Sequence, residues 1–130
     1  MRKNVLLVLL GLNAVMQLGG GTMMTLRPAK MAVEVFRTSA TPETMKLVGV
    51  VGGATLSFAL LTVVAMLMLV RDARLGFALA RLEGVMLALV GAVMLETGTS
   101  MGAVDIAKGV VIALVAWPVG SARLAGTAAG

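Results

Sequence analysis

The longest uncharged segment of the chain runs from Leu47 to Val70 and consists of 24 mostly apolar residues. At a helical rise of about 1.5 Å per residue, it exceeds the roughly 30 Å hydrocarbon core of a bilayer. Thr41-Pro42-Glu43 precedes it and supplies a capping hydroxyl, a proline for the first turn and an acidic residue. That order is typical of a helix start. The segment therefore predicts a transmembrane helix over residues 43–70.

The composition of the chain supports lipid as the main solvent. Of its 130 residues, 59% are apolar and 13% are charged, against about 25% charged in soluble domains. A soluble domain of this size with so few charges would expose large apolar patches. Since Lys and Arg are scattered between apolar runs, without a basic face, we expect no nucleic-acid partner.

Three further segments, residues 5–26, 75–96 and 102–118, are predicted to span the membrane. The fold class is therefore predicted to be all-α, an up-down bundle of four transmembrane helices in a single domain, residues 1–130. A Gly- and Ala-rich tail, residues 120–130, is expected to be flexible. A cleaved signal peptide is the alternative for the first segment, but no convincing cleavage site follows it.

Residues 28–38 are predicted to form a short helix that lies in the membrane interface. One face is apolar, and the opposite face carries Lys30, Glu34 and Arg37 at spacings that allow helical charge pairs. A cytosolic or partner-binding helix is the alternative.

Small residues recur every four positions in three of the predicted spans, a pattern that allows two helices to approach closely. We expect these stripes to be helix-packing surfaces. They are Gly49, Gly53 and Ser57; Gly84, Ala88 and Ala92; and Gly109 and Ala113.

The chain has no Cys, His or Tyr, which removes thiol nucleophiles, imidazole bases and the usual zinc and haem ligands. Its eleven Met residues are spread over every segment and are read as packing residues. We therefore predict no catalytic residues, no metal and no cofactor, and the chain is not expected to be an enzyme.

Glu96, Asp105 and Lys108 form the first candidate polar or ion site. Both acids flank one short turn, and Lys108 follows Asp105 at the spacing of a helical ion pair. Two neighbouring carboxylates could share a proton or bind a cation. The favoured interpretation is a hydrated cluster that caps the last span, because an acid in a first turn is stabilised by the helix dipole.

Glu83 is the second candidate, since it interrupts the third span together with Arg81. The favoured interpretation is that both charges extend to the membrane surface. Alternatively, Glu83 faces inward and meets Asn13 or Gln17 of the first span. Those two amides share a helical face and are interpreted mainly as helix–helix contacts, with a ligand or ion site as the alternative.

Pro28, Gly52-Gly53 and Arg71-Asp72-Ala73-Arg74 occupy an arrangement that resembles the DoxX-like group of small four-helix bacterial membrane proteins. The likeness covers most of the chain, although the Arg81-Leu82-Glu83 interruption departs from it. It implies a bacterial cytoplasmic membrane and lends no site residues. Basic residues at the start and in the Arg71–Arg74 turn predict that both termini are cytoplasmic.

Three functions are compatible with these features. The favoured hypothesis is a non-enzymatic accessory or scaffold subunit that packs against other membrane proteins and lipids. The alternative is a small homo-oligomeric ion- or proton-coupled transporter or channel that uses Glu83 or the Glu96–Asp105 pair. The third is a membrane enzyme acting on a lipid-like substrate.

Overall fold

A computed structural model describes residues 1–96, 98 and 100–117, and those residues form helices without any strand. The all-α prediction is therefore confirmed. The long helices begin and end within three residues of the predicted spans, and the predicted tail lies outside the described residues. The helices are α1 (Arg2–Leu26), α2 (Pro28–Glu34), α3 (Pro42–Arg71), α4 (Ala73–Glu96) and α5 (Met101–Ala116).

Three of these helices, α1, α3 and α4, are long and apolar enough to cross a membrane. Their outer faces are apolar: Val8 is 63% exposed, Leu60 67% and Leu89 62%. Such surfaces are compatible with lipid and indicate an integral membrane protein. The 16 residues of α5 correspond to about 24 Å, less than the roughly 30 Å hydrocarbon core.

Two of the predicted helix starts are capped by side chains. The Thr41 hydroxyl accepts a hydrogen bond from the Thr44 backbone N–H at 3.2 Å, and the Thr44 hydroxyl accepts one from the Thr41 N–H at 2.8 Å. Asp72 accepts from the backbone N–H of Arg74 at 3.1 Å and of Leu75 at 3.4 Å. These bonds satisfy donors that a helix start otherwise leaves unpaired.

The short helix α2 ends earlier than predicted. It stops at Glu34, and Arg37 has a φ of 54°, a left-handed conformation that a helix cannot include. The predicted pair of Lys30 and Glu34 is present at 3.9 Å. The predicted helical pair of Glu34 and Arg37 is wrong, because the two residues no longer share a helix.

Helices α1 and α3 cross at a pair of glycines, Gly21 and Gly52. A Cβ at Gly52 would lie 2.8 Å from the Cβ of Met24 and 3.0 Å from the Gly21 carbonyl oxygen. The close approach therefore requires glycine. The predicted packing stripe of α3 is not part of this crossing. Gly53 and Ser57 are exposed, and a Cβ at Gly49 or Gly53 would meet open space.

Helices α4 and α5 pack antiparallel through two pairs of facing glycines. The two pairs are separated by seven residues along each helix. Gly84 faces Gly109, and Gly91 faces Gly102. In the first pair, a Cβ at Gly84 would lie 2.7 Å from the Gly109 carbonyl oxygen. The predicted packing of Gly84, Ala88, Gly109 and Ala113 is therefore found in this interface. Ala92, by contrast, is exposed, and the buried position belongs to its neighbour Gly91.

The N-terminal end of α1 and the C-terminal end of α5 lie together. The Arg2 Nε donates to the Val115 carbonyl oxygen at 2.7 Å, and the Arg2 guanidinium lies 5.3 Å from the centre of the Phe77 ring. At this end α3 and α4 are joined tightly at Gly76, where any Cβ would overlap the Leu69 backbone. The largest cluster of buried apolar residues comprises Leu6, Leu10, Ala65, Leu69, Ala80, Leu87, Ile112 and Ala116.

The adjacent glycines of α3 allow a matched test of this packing. We expect Gly52→Ala to destabilise the protein by about 1–3 kcal/mol, because its methyl group would force α1 and α3 apart. Gly53→Ala meets open space and should be neutral or stabilising by up to about 1 kcal/mol through helix propensity. Thermal unfolding in micelles, followed by helical circular dichroism, compares the two; equal shifts would contradict the assigned crossing.

Candidate functional site

A cluster of four polar side chains is buried where α1, α3 and α4 meet. Asn13 and Gln17 come from consecutive turns of α1, Thr62 from α3 and Glu83 from α4. Their exposed fractions are 2%, 5%, 0% and 0%. Glu83 is the eleventh of the 24 residues of α4, so the cluster lies near the middle of that helix. We call these four residues the polar cluster.

Hydrogen bonds between side chains connect the four members. The Asn13 Nδ2 donates to the Glu83 Oε1 at 2.9 Å. The Thr62 hydroxyl contacts the same Glu83 oxygen, and it also lies 2.9 Å from the Gln17 Oε1. The carboxyl group of Glu83 is therefore held by donors from two other helices.

Thr62 is the branch point of the cluster, because its hydroxyl has several acceptors and one hydrogen. The Gln17 Oε1, the Glu83 Oε1 and the Phe58 carbonyl oxygen, at 2.9 Å, all lie within its reach. A threonine hydroxyl donates one hydrogen bond at a time. Rotation of this hydroxyl can therefore transfer its hydrogen bond between Glu83 and Gln17.

Three buried polar atoms of the cluster lack a hydrogen-bond partner among the described residues. They are the Asn13 Oδ1, the Gln17 Nε2 and the Glu83 Oε2. Leaving a buried donor or acceptor unpaired costs about 1–3 kcal/mol, and folded proteins contain few such groups. All three belong to one cluster whose members are connected through Thr62 and Glu83, so the hydrogen-bonding capacity of the cluster is only partly used.

Glu83 has no cationic partner in the described part of the chain. The ion pairs found there join Lys30 to Glu34 and Lys108 to Asp105. An ionised carboxylate in an apolar interior is unfavourable unless it is paired or hydrogen-bonded. The site is therefore suited to a carboxyl group that gains and loses a proton, or to one that meets a cation.

The structure brings three of the predicted polar residues together and separates the others. Asn13, Gln17 and Glu83 meet in the polar cluster, so the favoured interpretation that Glu83 extends to the surface is wrong. Its side chain lies on the face of α4 that packs into the protein, as does its neighbour Gly84. The interpretation of Asn13 and Gln17 as helix–helix contacts agrees with the bonds that they make.

Asp105 and Lys108 form the predicted ion pair, with Nζ and Oδ1 2.9 Å apart and side chains 18% and 23% exposed. Glu96 is exposed at the end of α4 and joins no ion pair among the described residues. Ser100 precedes α5, and its hydroxyl makes no capping bond. The predicted three-residue site is thus reduced to one ion pair on α5.

Thr62 is the member of the cluster that sequence reasoning missed. It is the sole hydroxyl, amide or charged side chain between Phe58 and Val70. An isolated hydroxyl in a long apolar run is a usable signal, because polar groups in such helices commonly bond to a neighbouring helix.

Two cavities flank the cluster on the side of α5. The larger, of about 540 Å³, includes Gln17 in its wall, and the smaller, of about 320 Å³, includes Asn13. Met16 and Lys108 line both. We call the larger cavity the apolar groove. Its wall includes Met31 of α2, Phe36, Gln17 and Leu87.

No family model, curated protein or solved structure matches this chain. The described residues also contain no group of three or more acidic residues placed to hold a metal ion. The function must therefore be argued from the polar cluster and the cavities beside it.

Proposed function

We propose that the protein is a small proton-coupled transporter in which Glu83 binds and releases the coupled proton. The observation that carries this proposal is the position of Glu83, fully buried near the middle of α4 and without a cationic partner in the described residues. An ionisable side chain at membrane depth is costly and generally marks an ion or proton pathway.

The polar cluster can accommodate Glu83 in both of its protonation states. When the carboxylate is ionised, Asn13 and Thr62 both donate to its Oε1. When it is protonated, the Thr62 hydroxyl can donate instead to Gln17 or to the Phe58 carbonyl. The change of state thus needs a rotation of one hydroxyl group and no movement of a helix.

The proposal places α5 in the membrane as a fourth span, with α2 in the interface. Two features support this: α5 packs along α4 through both glycine pairs, and its C-terminal end lies beside the start of α1. An even number of crossings returns the chain to the side from which it started. The short length of α5 can be accommodated by local thinning of the bilayer.

Proton flux into vesicles tests the proposal directly. In proteoliposomes that contain a pH-sensitive dye, with valinomycin and potassium to clamp the voltage, an imposed proton gradient should collapse faster than in protein-free vesicles. The assay is repeated with gradients of inorganic ions, apolar amines and uncharged amphiphiles, and a rate equal to that of protein-free vesicles in every case would contradict proton coupling.

An accessory subunit is the second candidate, and the stripe of Gly49, Gly53 and Ser57 favours it. Gly53 and Ser57 are exposed, and a Cβ at Gly49 or Gly53 would meet open space. An uncovered small-residue face on a membrane helix is suited to another helix. Purification in mild detergent distinguishes the candidates: a stable complex with a different membrane protein supports the subunit, and a homogeneous species of this chain alone contradicts it.

A further inference from the structure

The apolar groove is a pocket with an almost entirely apolar wall and few polar groups. Met, Val, Leu and Phe side chains from the helices around it dominate the lining, and the polar members are Gln17, Thr55, Asp105 and Lys108. Its volume of about 540 Å³ is within the roughly 300–1,000 Å³ of small-molecule sites. An apolar wall with a small number of polar groups is the usual composition of such sites.

Gln17 is a buried polar residue of the groove wall, and a rotation of its side-chain amide would bring the amide nitrogen to the groove. Its side chain is 5% exposed, its Oε1 lies within hydrogen-bond distance of Thr62, and its Nε2 has no partner among the described residues. An amide nitrogen donates hydrogen bonds and does not accept them. The complementary group on a ligand is therefore an acceptor, a carbonyl or hydroxyl oxygen.

The charges that line the groove neutralise each other. Asp105 and Lys108 are paired at 2.9 Å, and the groove has no further charged lining residue in the described part of the chain. A charged ligand group would enter an apolar wall without a free counter-ion, which is unfavourable. Charge complementarity therefore selects an uncharged ligand.

We propose that the apolar groove binds an uncharged amphiphile, with its apolar body between α1, α3 and α4. One carbonyl or hydroxyl oxygen of the ligand forms a hydrogen bond to Gln17 once the Gln17 amide has rotated toward the groove. The binding site stands on the groove alone, whereas the ligand's role as the transported substrate rests on the proposed function. In that role Thr62 provides the connection, because it contacts both Gln17 and the proton-binding residue Glu83.

The methionines of the chain provide a direct probe of binding. Five of them line the groove. Met66 and Met68 are not part of its wall and serve as controls. Protein labelled with ¹³C at the Met methyl groups is placed in phosphatidylcholine nanodiscs and titrated with monooleoylglycerol. We expect saturable shifts in the methyl signals of the groove methionines and none at Met66 and Met68. The groove methionines are Met16, Met24, Met31, Met94 and Met101.

Oleate, titrated at a pH where it is a carboxylate, carries the same acyl chain with a charged head group. We expect no saturable shift with oleate. The proposal is overturned if oleate binds as tightly as monooleoylglycerol, if the shifts do not saturate, or if all methionines respond equally. If bilayer lipid occupied the groove, the shifts would not saturate.

Two exposed valines provide a matched pair of variants. Val90 lines the groove and is 40% exposed, and Val63 lies outside it and is 39% exposed. Val90→Trp should fill the groove and abolish the saturable shifts, whereas Val63→Trp should leave them unchanged. Equal loss in both variants would overturn the site. Gln17→Leu should weaken binding by about tenfold, the value of one hydrogen bond, and if it does not fold the valine pair decides.

Measurements of ligand binding and of proton flux on the same wild-type protein separate this inference from the proposed function. Saturable binding by a wild-type protein that moves no protons would contradict the transporter and leave the groove site standing.

Discussion

Glu83→Gln is expected to reduce proton flux to the rate of protein-free vesicles while the protein stays folded. Glutamine has nearly the shape of glutamate, and its amide oxygen can accept from Asn13 and Thr62 as the Glu83 Oε1 does. It cannot bind and release a proton in the accessible pH range. The substitution therefore removes the titrating group and preserves the hydrogen bonds around it.

Glu96→Gln is the matched control for this experiment, since it makes the same chemical change at an exposed position at the end of α4. Its flux should equal that of the wild type. Thermal unfolding in micelles should show that Glu83→Gln is at least as stable as the wild type, because a neutral amide is less costly to bury than a charge. Full flux in Glu83→Gln, or equal loss in both variants, would rule out Glu83 as the coupling residue.

The helices were predictable because their extents are determined locally. Uncharged runs bounded by charged or turn residues locate α1, α3 and α4, and the caps at Thr41 and Asp72 act within a few residues of chain. The early end of α2 was not predictable in the same way. It follows from the left-handed backbone at Arg37, at a residue type that does not favour that conformation.

The direction of Glu83 could not be derived from hydrophobic periodicity. In a soluble helix the polar residues mark the outer face, but here lipid makes both faces of α4 apolar. The small residues of α4 were more informative, because small residues mark the face of a membrane helix that packs against other helices. Gly76, Ala80, Glu83 and Leu87 lie on one buried face of α4, at the three- and four-residue spacings of a helical stripe.

The choice among neighbouring glycines required the partner helix. Successive residues point about 100° apart around a helix, so Gly52 and Gly53 face different surroundings although both fit a small-residue pattern. Gly52 packs against Gly21, whereas a Cβ at Gly53 would meet open space. The same offset explains why Gly91, and not Ala92, lies in the interface with α5. A pattern within one helix identifies the candidates, and the complementary pattern in the next helix decides between them.

Gly91→Leu is expected to destabilise the protein strongly by disrupting the α4–α5 interface. A Cβ at Gly91 would already lie 2.6 Å from the Gly102 carbonyl oxygen and 2.7 Å from the Ile106 backbone nitrogen. Both neighbours are helical backbone, which cannot rotate away as a flexible side chain can. Overpacking costs about 1–3 kcal/mol where side chains can adjust, so we expect a loss at or above the top of that range.

Ala92→Leu places the same side chain one residue further on, at an exposed position of α4, and should change stability by no more than about 0.5 kcal/mol. Unfolding of both variants in micelles, followed by helical circular dichroism, measures the difference. Gly91→Leu should also reduce proton flux, because α4 carries Glu83 on the face that meets Asn13 and Thr62, and displacing α4 would separate them. Equal stability of the two variants would show that the glycine pairs do not determine how α5 packs on α4. Loss of stability with full flux would show instead that the polar cluster keeps its geometry without that interface.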